Sequence, residues 1–288
     1  MTDFQKQFFT RLNIEEKHKV SFEDLPNIMY AMAQTVPFEN LNVLEKNFKE
    51  ISKENLKEKI LVNNRGGLCY ELNPTMYYFL KDAGFDVHLV SGTVYNAANS
   101  IWAVDSGHIA TVLTHHNELY LIEVGFGSYL PLAPVPFSGE VVQSVTGDYR
   151  IRKEMTEKGN YVLEMRKNNE FLDQSSTDDW TLGYAFYIEE VTEEKANAAQ
   201  KIIVEHEGSP FNKVPLIVKL TEDGHASLTK DSLTIAKNGK KRKKTLQMYN
   251  IKIFYIQNSE LHYNFSSLAI LARLFNFQQG FFAICCIS

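Results

Sequence analysis

Near Phe85 the hydrophobic pattern of this chain changes its period. Upstream, the stretch from Asp24 to Val36 places apolar side chains at Leu25, Ile28, Met29, Met32 and Val36, the roughly 3.6-residue spacing of one helix face. Ser52 is placed to cap a second helix whose apolar side is Ile51, Leu56, Ile60 and Leu61. After Arg65-Gly66-Gly67-Leu68 a third helix is expected from about Cys69 to Asp82, stopped by Gly84. Its Pro74 lacks an amide hydrogen and is tolerated only in a first turn. Downstream the signal becomes that of short strands. Val87 to Tyr95, His108 to Thr114, Leu119 to Val124, Tyr149 to Arg152 and Tyr161 to Arg166 are rich in β-branched and aromatic residues between Gly, Asn and Pro clusters. A chain that is helical first and stranded afterwards is α+β, with a β-barrel or sandwich in its middle.

Thr192 to Glu205 is charged and alanine-rich and reads as a helix leading to a third module near Gly208-Ser209-Pro210-Phe211. Residues 216 to 250 read as hairpins, with Asp223-Gly224 and Asn238-Gly239 as turns. A length of 288 residues accommodates these modules, with expected boundaries of 1–85, 86–190, 191–207 and 208–288.

Thirty Lys and Arg against 35 Asp and Glu give a formal charge of −5, which excludes a whole-surface affinity for nucleic acid or anionic membrane. One local exception is Lys237 to Lys244, read as a solvated hairpin with contact to a phosphorylated ligand as the rival reading. Three cysteines, Cys69, Cys285 and Cys286, make neither a disulfide framework nor a zinc site, so a cytoplasmic, reducing location is expected. No signal-peptide or membrane-spanning pattern stands out, because the apolar stretch from Leu268 is broken by Arg273, Asn276, Gln278 and Gln279.

Cys69 is the sharpest chemical signal. A thiol at a helix N-terminus meets unpaired backbone N–H groups and the positive end of the helix dipole, which favour the thiolate. The glycine pair before it lets the backbone come close to a substrate, and the Cys69 N–H is placed for a developing oxyanion. A nucleophilic cysteine also needs an imidazole and a group to orient it. If residues 108 to 115 and 119 to 126 form a hairpin, residue 110 faces residue 123, and His108 and Glu123 share one face as diagonal neighbours roughly 7–8 Å apart. A slip of one residue would separate them. Gly125-Phe126-Gly127 lacks the third glycine of a dinucleotide loop, and His115-His116 lacks further metal ligands nearby, so no metal is expected.

Four blocks taken together resemble the arylamine N-acetyltransferases: Val36 to Leu41, Arg65 to Asn73, His108, and Glu123 to Gly127. The resemblance spans about residues 5 to 250. It implies a helical bundle, a central β-barrel and a C-terminal α/β lid around a papain-like or transglutaminase-like Cys-His-acid core. It further implies ping-pong transfer from acetyl-coenzyme A through a Cys69 thioester to an arylamine, arylhydrazine or N-hydroxyarylamine. Phe38, Phe126 and Val94 would line the slot for the aromatic ring, and coenzyme A would lie near Gly125, Gly127 and Ser209. The family usually has Asp where this chain has Glu123, so the acid is expected to sit farther back or the strand to adjust. After about Asn250 the family's usual ending is not matched, and residues 253 to 288 hold only Glu260 and Arg273 as charged side chains. An amide synthase or cysteine hydrolase with the same triad, and a silent ligand-binding homologue, are the competing readings; the sequence leaves the oligomeric state open.

Overall fold

A computed structural model describes residues 1–168, 179–237 and 240–245. Helix α1 (Asp3–Leu12) starts at a reciprocal cap, with Gln5 N donating to Thr2 Oγ1 at 3.2 Å and Thr2 N to Gln5 Oε1 at 2.7 Å. It buries Phe4, Phe8, Phe9 and Leu12 against α2 (Leu25–Thr35) and α5 (Cys69–Asp82), and Phe8 stacks on Phe79 at 4.0 Å. Both rings are fully buried, so truncating either to Ala removes about 3–5 kcal/mol of packing. Between these helices come β1 (Phe38–Glu39), the short α3 (Leu41–Leu44) and α4 (Lys53–Leu56), which continues as a wider turn through Val62. Ser52 caps α4 as expected, its hydroxyl accepting from Asn55 N at 3.3 Å.

Helix α5 has the expected bounds, but Pro74 is its sixth residue and lies beyond the first turn. The missing N–H is the one that would have bonded the Tyr70 carbonyl four residues back. Burial of every side chain from Cys69 to Leu80 explains why the helix persists through it.

The strands β2 (Asp86–Asn96), β3 (Ile101–Trp102), β4 (His108–His115), β5 (Glu118–Ile122), β6 (Val135–Pro136), β7 (Val142–Ser144), β8 (Gly147–Thr156), β9 (Gly159–Lys167) and β10 (Thr181–Phe186) form one antiparallel sheet. Its order is β6-β5-β4-β2-β10-β9-β8-β7 with β3 on β2, and β6 packs against β8, so the sheet is nearly closed into a barrel. Strand β10 was not expected: Gly183 to Phe186 are buried without alternation, and its pairing with β9 shifts between Leu182 and Tyr184.

Helix α6 (Glu193–Glu205) then leads to β11 (Leu216–Thr221), β12 (Gly224–Thr229), β13 (Ser232–Lys237) and β14 (Lys240–Thr245). The first strand of this second sheet is β1, paired through Phe38↔Val218 and Glu39↔Ile217, and Phe38 also bridges Gly67. The C-terminal sheet is thereby joined to the loop before Cys69. The basic strand β14 is exposed along its length, which fits the solvated reading of that run. The Asn238-Gly239 turn, the tail from residue 246 and the Cys285-Cys286 pair lie outside the described residues.

Candidate active site

The loop that delivers Cys69 has no room for side chains at its glycines. A Cβ on Gly66 would lie 1.9 Å from the Pro37 carbonyl oxygen, and one on Gly67 would lie 2.7 Å from Glu71 Oε2. Arg65 fixes the loop from below, donating through Nε at 3.1 Å and Nη2 at 2.9 Å to Glu39 Oε1, with both side chains buried. Glu39 Oε2 in turn accepts from Leu41 N at 2.6 Å. Burial pushes the Glu39 carboxyl up, but the charges of Arg65 and Lys59 outweigh it and hold the group below its ordinary value. Glu71 accepts from Leu68 N at 3.0 Å and from Lys59 Nζ at 2.6 Å, closing the helix start. Cys69 is the first residue of α5, is buried, and points its sulfur at the Gly107 carbonyl 3.5 Å away.

The β4–β5 ladder pairs Thr111 with Ile122, which sets Ala110 across from residue 123 and puts His108 and Glu123 on one face, as the sequence register predicted. Strand β5 ends at Ile122, so Glu123 leaves the ladder and its longer side chain reaches the ring without forcing the sheet. His108 Nε2 lies 2.7 Å from Glu123 Oε2. That leaves Nδ1 as the ring nitrogen for the Cys69 sulfur, which acts on the ring together with Glu123.

Glu123 is fully buried and its carboxylate is surrounded by donors. Oε1 accepts from Asn73 Nδ2 at 2.8 Å and Gly125 N at 2.7 Å; Oε2 accepts from the Tyr184 hydroxyl at 2.8 Å as well as facing His108. Burial pushes this carboxyl up, but His108, Asn73 and Gly125 together hold it below its ordinary value. Burial pushes His108 down, while Glu123 and the Cys69 sulfur raise it to about 10. The ring therefore holds its proton at neutral pH. Its contribution to stability is complete below the unfolded value of 6.5 and fades as pH rises through about 10. The Glu123 contribution is present above the ordinary carboxylate value and is lost as pH falls through its lowered one.

Asn73 and Tyr184 are neighbours of Glu123 that the sequence reading did not single out. Asn73 follows Cys69 by one helical turn and so shares its face, a signal that was available. Tyr184 sits on the unexpected β10, opposite Val94 of β2, with its ring 4.4 Å from that of His108. Phe126 also reaches the triad, its ring 5.4 Å from His108 and 5.4 Å from Tyr184. Phe38 is buried in the cluster that contains Cys69 and lies edge-on to Phe211 at 5.6 Å. Ser209 is fully buried and its hydroxyl accepts from Phe211 N at 3.3 Å. Gly127 has φ +67° and open space around it. His115 stacks on Phe22 at the opposite end of β4 from His108. Among the described residues no group of three or more His, Cys, Asp or Glu is placed to hold a metal, and no helix is long and apolar enough to cross a membrane.

Gly125 has a packing role of its own. A Cβ there would lie 2.8 Å from Asn73 Nδ2 and 2.9 Å from Cys69 Cα. Gly125→Ala should slow alkylation of Cys69 by iodoacetamide at least severalfold, because the added carbon displaces the nucleophile and the amide that holds Glu123. That reaction needs no coenzyme, so an unchanged rate in the folded variant would limit Gly125 to coenzyme contacts.

The N-acetyltransferase family matches residues 21–262. A probable arylamine N-acetyltransferase of Dictyostelium discoideum is 34% identical over 265 residues, covering 84% of this chain and 86% of its own. The chain belongs to the arylamine N-acetyltransferases. It is thus an acyltransferase by family, and the uncharacterized acetyltransferase YvcN of Bacillus subtilis is 44% identical over 239 residues, 83% of this chain and 90% of that protein. Among solved structures, the NAT3 arylamine N-acetyltransferase of Bacillus cereus, described as having a unique Cys-His-Glu catalytic triad, is 88% identical. It covers 85% of this chain and 93% of its own, with a TM-score of 0.81. Arylamine N-acetyltransferase C of Bacillus anthracis is 49% identical with a TM-score of 0.80, over 85% and 93% of the two chains.

Proposed function

We propose that Cys69 is the acetyl carrier, His108 its proton acceptor and donor, and Glu123 the group that orients the ring. The observation that carries this reading is the 2.7 Å contact between His108 Nε2 and Glu123 Oε2, with Cys69 at the start of a helix on the ring's other side. In the first half-reaction the sulfur attacks the thioester carbonyl of acetyl-coenzyme A and the thiol proton resides on His108. The Cys69 N–H faces the oxyanion of the tetrahedral intermediate, and the coenzyme thiol leaves with the proton from His108. In the second, an arylamine, arylhydrazine or N-hydroxyarylamine attacks the Cys69 thioester, its proton passes to His108, and the sulfur is released.

Phe126 against His108 supports a flat apolar slot at the ring, with Val94 and Phe38 as its further walls. Coenzyme A would approach along Gly125 and Gly127. Ser209, with its hydroxyl occupied, would contribute through the shape of the turn it caps. In this reading residues 1–85 carry the nucleophile, 86–190 the base and acid, 191–207 the link, and 208–288 the cover over the coenzyme. The enzyme would work in the cytoplasm, on small molecules.

Mixing the protein with acetyl-coenzyme A alone should add one acetyl group to the intact mass, and an arylamine should discharge it. Cys69→Ala should show neither. Absence of an adduct under conditions that trap thioesters, with no amide formed, would overturn the assignment.

A further inference from the structure

Strand β10 carries an irregularity that the triad does not explain. Its pairing with β9 shifts between Leu182 and Tyr184, which leaves Gly183 as an extra residue without a place in the ladder. Gly183 is buried, and its φ is not in the left-handed region, so conformation alone does not call for glycine there. The space in front of it does. A Cβ on Gly183 would lie 3.2 Å from the Leu163 carbonyl oxygen, 3.3 Å from Met165 Cε and 3.5 Å from Phe126 Cε1. Phe126 thus leans one ring edge on the bare backbone of the bulge. Its other neighbours leave it little freedom: the rings of His108 and Tyr184 each lie 5.4 Å away, and the cluster of Leu130, Leu132 and Leu220 packs against it. His108 and Tyr184 are buried, whereas Phe126 is only half-buried. A side chain at position 183 can therefore drive the ring only toward its exposed side.

We propose that Gly183 is a specificity-determining residue: it lets Phe126 lie back against β10 and so leaves room beside His108 for an arylamine of two or more fused rings. This rests on the acetyl-transfer reading, in which Phe126 walls the amine slot. Gly183 touches no reacting atom and acts through Phe126. A single carbon added to an apolar pocket changes discrimination by about 10–200-fold, so a methyl group at this position is enough to move the preference. A single-ring amine fills less of the slot and is the less affected class.

The test compares kcat/KM for 2-aminofluorene and for aniline in wild type and Gly183→Ala. Wild type should acetylate both, and the ratio of 2-aminofluorene to aniline should fall about tenfold or more in the variant. On a Phe126→Ala background the same substitution should leave that ratio unmoved. Alkylation of Cys69 by iodoacetamide, too small to use the slot, should keep its rate in Gly183→Ala, which separates the slot from a shift of Tyr184 against Glu123. The proposal is overturned by a wild type that acetylates aniline alone, an unmoved ratio, an equal loss for both amines with slowed alkylation, or a ratio that falls as far without Phe126. Should Gly183→Ala fail to fold, adding Met165→Leu withdraws the methyl that the new carbon meets, and the same ratio is read. If wild type acetylates neither amine, the acetyl-transfer reading falls, and protection of Cys69 from iodoacetamide by 2-aminofluorene decides on Gly183. Protection weakened about tenfold by the substitution supports its role, and equal protection refutes it.

Discussion

Glu123→Gln is expected to reduce arylamine acetylation by about 1,000-fold or more, the scale seen when the orienting acid of a nucleophile-His-acid triad becomes an amide. The reason lies in the hydrogen bonds around the carboxylate. Asn73 Nδ2, Gly125 N and His108 Nε2 all donate to it, and so does the Tyr184 hydroxyl. An amide NH2 turned toward Asn73 and Gly125 meets two donors that cannot reverse. Turned the other way it meets Tyr184, which can rotate to accept, and His108, which can accept only as the other tautomer. The ring then carries its proton on Nδ1, facing Cys69, and has no nitrogen free to take one from sulfur. The imidazolium also loses the counter-charge that raises it to about 10. Unpaired buried donors cost about 1–3 kcal/mol, so the variant should still fold, melting a few degrees lower. Rates of acetyl transfer and of Cys69 alkylation should fall together. A folded variant that acetylates at the wild-type rate would remove Glu123 from the reaction.

The parts of this site that were legible in the sequence are those set by local periods. The span Cys69 to Asp82 follows from a glycine pair at one end and Gly84 at the other, and the helix has those bounds. The relation of His108 to Glu123 follows from a short loop expected near His116 to Glu118 and a period of two, and the ladder keeps that register although β5 already starts at Glu118. Local rules stop where burial on both sides erases alternation. Gly183 to Phe186 show no inside and outside faces, which hid β10 and with it Tyr184, 61 residues from the carboxylate it donates to. Helix α1 lies within the helical bundle expected over residues 1–85 but was not singled out there, for another reason. Phe4, Phe8 and Leu12 have helical spacing, but the segment is only ten residues long and its pattern is short. Pro74 shows the converse, a local rule overridden by tertiary burial of a whole helix.

Asn73→Asp should be the most destabilising isosteric change in the site, and its carboxyl contribution should depend on pH with a sign opposite to that of Glu123 in wild type. The fully buried Asn73 donates through Nδ2 to Ile109 O at 2.7 Å and Glu123 Oε1 at 2.8 Å, and accepts from Val124 N at 2.9 Å. An oxygen in place of Nδ2 faces a carbonyl and a carboxylate, neither of which can donate. Two buried carboxyl groups at that separation cannot both ionise, so the pair holds one proton and titrates jointly well above the ordinary range. In wild type the folded state holds Glu123 below that range, so stability grows as pH rises through it. In the variant the folded state binds a proton that the unfolded chain has released, so stability must fall as pH rises from the carboxylate range toward neutrality. The loss near pH 8 should be about 3–5 kcal/mol, the cost of a buried charge left without its partner. Urea unfolding of variant and wild type at pH 5 and pH 8 measures it, since wild type alone already loses the His108 contribution as pH rises above 6.5. A variant that loses no more stability than wild type between pH 5 and pH 8 would mean that the Asn73 amide is not what keeps Glu123 ionised, and the low value of that carboxyl would then rest on its other donors, His108 and the Gly125 N–H first.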